Sequence, residues 1–270
     1  MGYTTKSQSV WVIPFLFFTC ATTMLGDTDV ASQLAGFLKQ EEALTRAIEE
    51  APRSINLLSR RGDFRQFLGR FAASVADYEK MIELDPAQNA PHWRLGIAYY
   101  FNEEFEKGSK QFEKYHLHDG RDRENGVWKF LCDARSKGLD HARGSMLIYS
   151  RFDRHPFPSI YEMLEGKRSP QAVLDEAQEL GGKQNPQVLF FALYYAGVYH
   201  DLIGEAAKGS RLVREAVDLF SAESAGSGGP GYMWQVARVH AGEIEKKRLP
   251  TPPDKQNPVL KAGDGKPAVQ

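Results

Sequence analysis

The sequence predicts an all-α fold, a solenoid of repeated helix pairs closed by capping helices. Two observations carry this reading. Gly62 and Gly96 stand 34 residues apart, each inside a run of large apolar residues at helical spacing. The seven-residue step from Gly62 to Gly69 recurs from Gly197 to Gly204, far along the chain.

The chain has 270 residues, 42% hydrophobic and 26% charged, which suits one solenoid or two small domains. The formal net charge of −1 gives no global attraction to nucleic acid or an anionic membrane. There are two cysteines, Cys20 and Cys132. If Cys20 leaves with a leader, Cys132 has no intrachain partner and reads as a lone buried thiol.

Residues 1–26 read as a signal peptide or N-terminal anchor. Lys6 is the one positive charge before an unbroken apolar run, Val10 to Phe18, and small residues follow. That run is about half of what a bilayer crossing needs. Cys20 is a candidate lipidation site, although Phe17, Phe18 and Thr19 match a lipoprotein box poorly. The expected location is therefore outside the cytoplasm: periplasmic, or membrane-anchored and facing the periplasm.

Residues 27–53 form a leading capping helix, with apolar Val30, Leu34, Phe37, Leu38, Leu44 and Ile48, Asp29 as N-cap, and Pro52 as its end. Residues 54–150 hold three repeats. In the first, helices are expected at 54–67 and 71–84, separated by Gly69. Gly62 lets the two helices approach closely, Tyr78 fills the space, and Pro86 stops the second helix. The second repeat predicts helices at 90–102 and 105–118. The third is degenerate, with Trp128, Leu131 and Cys132 in its first helix, Cys132 in place of the small glycine, and a second helix at 140–150. Residues 151–185 are a helical insertion, in which Ser169-Pro170 starts a helix in the expected N-cap order. Residues 186–247 give a fourth unit, a glycine-serine loop at 224–231 and a terminal helix from Tyr232. Residues 248–270 are rich in Pro, Lys and Gly and predict a disordered tail.

Leu58, Gly62, Gly69, Phe71, Tyr78 and Pro86, then Trp93, Leu95, Gly96, Tyr99, Phe105 and Phe112, resemble tandem tetratricopeptide (TPR) repeats. The implied fold is a right-handed TPR-type solenoid. The order of parts, with Trp128 to Leu131, Met163 to Gly166 and Tyr194 to Gly204, is similar to the bacterial lipoprotein NlpI family over about Val30 to Ile244. That resemblance implies a dimerising adaptor that docks proteases or peptidoglycan hydrolases of the envelope. In TPR arrays the inward residues of each first helix line a groove. Matched by position, these are Asn56, Ser59, Asp63, Gln66 and Phe67, then Ala90, Trp93, Ile97, Tyr100 and Phe101, then Lys129 and Asp133. Trp93 and Tyr100 are the expected anchors.

No catalytic constellation emerges. His116 and His118 point to different sides of a helix, so they are poor co-ligands for a metal. Ser145 lacks the Gly-x-Ser-x-Gly elbow, and no phosphate-binding loop is present in the sequence. Arg60, Arg61, Arg65 and Arg70 form a basic cluster, read as salt-bridged to the acidic leading helix or as a site for an acidic peptide end. The expectation is a non-enzymatic scaffold with a protein or peptide partner, no cofactor, no metal and no nucleic acid, touching membrane only through its N-terminus. Two alternatives remain open: a hydrolase built around His116 or His155, and a self-associating structural module, including a homodimer, whose groove is filled by its own helix.

Overall fold

The computed structural model describes residues 24–248, with side chains from Val30 onward. The leader, Cys20 and the tail lie outside the described residues, apart from the few terminal residues that join helices. Among the described residues there is no strand, and no helix is long and apolar enough to cross a membrane.

Helix α1 covers Met24–Glu50, α2 Ile55–Phe67, α3 Phe71–Leu84, α4 Trp93–Phe101 and α5 Phe105–His118. Then come α6 at Arg123–Lys137, α7 at Leu139–Gly144, α8 at Phe157–Leu164 and α9 at Pro170–Glu179. The chain closes with α10 at Pro186–Leu202, α11 at Ala206–Asp218, α12 at Ala222–Gly226 and α13 at Tyr232–Arg248. Through the first half each helix packs on its successor, from α1 on α2 as far as α6 on α7. In the second half α10 is the hub: it packs on α8, α9 and α11, and also back on α6.

Three helix pairs share one junction. A Cβ on Gly62 would stand 2.5 Å from the Tyr78 ring, one on Gly96 2.6 Å from the Phe112 ring, and one on Gly197 2.7 Å from Val213. In each pair the glycine precedes its partner by sixteen residues, so the same helix-to-helix offset is used three times. Where the second unit meets the third, the small residue is Gly108 on α5, and a Cβ there would meet the Cys132 sulfur of α6 at 2.8 Å. Cys132 is buried and unpaired, and burial raises its thiol well above the usual range.

The element boundaries bring four corrections. Helix α1 runs through Asp29 rather than starting there, so Asp29 is not its N-cap. Ala90 lies in a turn before α4, whose N-cap is His92 accepting from the Leu95 amide at 3.1 Å. The second helix of the third unit stops at Gly144, because the Ser145 hydroxyl turns back to the His141 carbonyl (2.9 Å) and side chains take the carbonyls that follow. The start of the glycine-serine loop is helical: α12 runs into it as far as Gly226, begun by a reciprocal cap between Ser221 and Ser224.

The core divides in two. A smaller cluster (Leu58, Val75, Tyr78, Met81, Leu95, Ala98, Tyr99) lies under α2 to α4. The larger cluster spans from Ile97 to Ile244 and is centred on α6, α10 and α13. Finally, α13 packs on α2, and α1 packs on α12. The two ends of the described helical array therefore meet.

Candidate functional site

Three of the four arginines of the basic cluster are tied to neighbours, and Arg60 makes no ion pair among the described residues. Arg61 pairs with Asp77 at 2.7 Å, Arg65 with Glu41 at 3.0 Å and with Asp77 at 2.8 Å, and Arg70 with Glu41. Glu41 belongs to α1 and is buried with Asp77, so this network clamps the leading helix onto the first repeat.

Four of the residues expected to line the groove, Phe67, Trp93, Tyr100 and Phe101, face one region, but α13 sits in it. Phe67 and Trp93 each meet the Tyr232 ring edge-on, both at 4.9 Å between ring centroids. Phe101 meets His240 at 5.1 Å and Tyr100 meets it at 5.7 Å. The Phe67 carbonyl accepts from the Arg238 guanidinium at 2.6 Å. Ile97, Tyr100, Phe101 and Gln66 are buried, and the Gln66 amide has no hydrogen-bond partner among the described residues. As folded, Gln66, Tyr100 and Phe101 are not open to a partner. Asp63 accepts from Tyr78 at 2.6 Å and from Arg94, and Arg94 also donates to the Ser59 hydroxyl at 3.0 Å. Burial raises the Asp63 carboxyl while Arg94 pulls it back. Asn56 alone of the set is exposed. Lys129 and Asp133 do not line the groove: they form a buried pair at 2.6 Å, and Lys129 also donates to the Ser145 carbonyl at 3.0 Å.

What stays open is a cavity of about 330 Å³ beside the N-terminal end of α13. Trp93, Ile97, Trp128, Phe191, Tyr232 and Met233 form its apolar walls. Its polar side carries Asp122, Glu124, Asn125 and Arg154. The Glu124 carboxylate accepts from the Tyr195 hydroxyl and from Arg154, each at 2.6 Å. Burial nonetheless pushes the Glu124 carboxyl up to about 7, against the pull of Arg154. The Arg154 guanidinium lies over the Phe157 ring at 4.2 Å. This arrangement can hold an apolar side chain whose polar end meets a carboxylate or the guanidinium.

His116 packs on the Tyr149 ring at 4.8 Å, and His155 faces Glu176 at 3.3 Å. Among the described residues no group of three or more metal-ligating side chains is gathered.

Sequence reasoning missed Tyr232, Arg238 and His240 as the groove's occupants. One signal was available. The run Met233-Trp234-Gln235-Val236-Ala237 is mostly apolar on every side of the helix, which marks a helix buried on more than one face, and the structure buries all five. Nothing in the spacing of Glu124 and Arg154, thirty residues apart, signals their meeting. The sequence matches no protein-family model.

Proposed function

We propose that the chain is a non-catalytic scaffold of the TPR type, which holds a protein or peptide partner outside the cytoplasm. Its pathway, on the resemblance to the NlpI lipoproteins, is the docking of envelope proteases or peptidoglycan hydrolases. The observation that carries the scaffold reading is the glycine junction repeated with one sixteen-residue offset at Gly62, Gly96 and Gly197. Repeats of this kind supply extended surfaces rather than enclosed reaction chambers. Because α13 covers Tyr100 and Phe101, the partner-facing part of the groove is the cavity beside Trp93.

The test uses the full chain as bait in an envelope extract, beside a Trp93→Ala variant whose helicity is checked by circular dichroism. Partners recovered by the parent and lost in the variant support the reading. Equal recovery by both removes the binding site from the groove. The seated α13 favours a second reading, a structural module whose groove serves only its own helix. That reading requires no partner in either pull-down and a monodisperse species by mass measurement at low concentration.

A further inference from the structure

The connector between α7 and α8 is unlike the rest of the molecule. From Ser145 to Arg151 it makes no regular structure, yet its carbonyls are held in strict alternation. The Ser145 carbonyl accepts from Lys129 at 3.0 Å and the Leu147 carbonyl from the Tyr161 hydroxyl at 2.9 Å. The Tyr149 and Arg151 carbonyls both accept from the Arg123 guanidinium. Carbonyls two residues apart pointing one way is the pattern of an extended chain, in which the intervening residues present N–H and C=O to the opposite side. Side chains of α6 and α8 thus take the place of a neighbouring strand on the inner side. On the outer side Met146, Ile148 and Ser150 make no backbone hydrogen bond among the described residues.

The same segment carries two of the most exposed apolar side chains. Among the described residues the three most exposed large hydrophobic side chains are Leu117 (88%), Ile148 (86%) and Phe152 (66%). Exposed edges carrying apolar side chains invite pairing, and folded proteins ordinarily blunt them with charge, proline or a covering element. Here the segment is held through its inner carbonyls and left uncovered on the other side.

We propose that Ser145–Phe152 is a docking edge onto which an extended peptide segment of a partner protein adds as a strand. Main-chain bonds to Met146, Ile148 and Ser150 supply the pairing, and alternate apolar side chains of the peptide cover Ile148 and Phe152. Charge selects the peptide further. The cavity at the end of the edge is lined by His118, Asp119, Arg121 and Arg151; Asp119 pairs with Arg121 at 3.7 Å, which leaves the Arg151 guanidinium to meet an Asp or Glu of the peptide. This surface is separate from the Trp93 cavity, and the proposal stands whether or not that cavity binds a partner.

The test pans a phage library of random twelve-residue peptides on the full chain. The expected winners alternate apolar residues and carry an acidic one. A synthetic winner slows amide exchange at Met146, Ile148 and Ser150 by about tenfold or more. Ile148→Pro removes the central donor and weakens binding by about tenfold or more, while Ile148→Val keeps it. Because Ile148 is exposed, folding survives the change, as circular dichroism will show; Ile148→Glu, which keeps the amide and repels the acidic peptide, must weaken binding too. Trp93→Ala leaves this binding unchanged. Failure to enrich any peptide, protection that maps to α4 and α13 instead, or full binding by Ile148→Pro and Ile148→Glu would each overturn the proposal.

Discussion

At the residue scale, the glycines at helix junctions were legible because a missing Cβ leaves a requirement for a large partner at a fixed distance along the chain. Gly96→Ala places a methyl group 2.6 Å from the Phe112 ring. It is expected to destabilise the protein by about 1–3 kcal/mol, read as a lower denaturant midpoint at unchanged slope. Gly36 in α1 has open space around it, so Gly36→Ala should be neutral or stabilise by up to about 1 kcal/mol. Equal losses at both sites would contradict the junction geometry.

Two buried ionisable groups set opposite pH trends. Burial lowers His240 from 6.5 to about 3, so the unfolded chain takes up a proton that the folded one refuses. Stability contributed by neutral His240 is present above pH 6.5 and is lost as pH falls toward 3. Glu124 is raised from 4.5 to about 7, so its contribution is full below 4.5 and fades as pH rises to 7. Urea titrations across this range should show His240→Leu with a weaker acid loss than the parent. Glu124→Gln should lose less stability than the parent between pH 4.5 and 7.

At the element scale, helices were legible wherever one face is apolar and a capping residue marks the start. Helices α3 and α5 fall at the expected limits, and Ser169 caps α9 by accepting from the Ala172 amide at 3.1 Å. The start of α7 was legible but its end was not, because that end is decided by Lys129, Tyr161 and Arg123 reaching the carbonyls beyond it from other helices. The seating of α13 depends on the Arg238 bond to the Phe67 carbonyl, which burial makes costly to break. Arg238→Ala should cost about 1–3 kcal/mol and should raise amide exchange in α13 before other helices. Exchange that accelerates uniformly through the chain would show that the bond stabilises the whole fold and does not pin this one helix.

At the scale of the whole molecule, contact between α13 and α2 and between α1 and α12 turns an array with two free ends into a closed one. An open array unfolds as a sum of repeats and nearest-neighbour terms, so its ends can fray independently. Closure couples them. The parent is expected to unfold in a single calorimetric transition with matching van't Hoff enthalpy, and a Tyr232→Ala/Arg238→Ala variant in a broadened or divided one. Identical transition shapes would mean that closure contributes no cooperativity.

The sequence by itself determined the helical class, most helix limits, the close glycine junctions and the residues that face inward from α2 and α4. These follow from local spacing, from caps and from the single missing Cβ. Only the tertiary structure decided what those inward residues touch. Tyr100 and Phe101 would serve an open groove as readily as a covered one, and their own spacing is the same in both. The choice is made by Tyr232 and His240, more than a hundred residues away, whose burial there removes apolar surface that neither partner could cover alone. The meeting of Glu124 with Arg154 and the one-sided edge at Ser145–Phe152 arise the same way, from contacts between elements that carry no period in the chain.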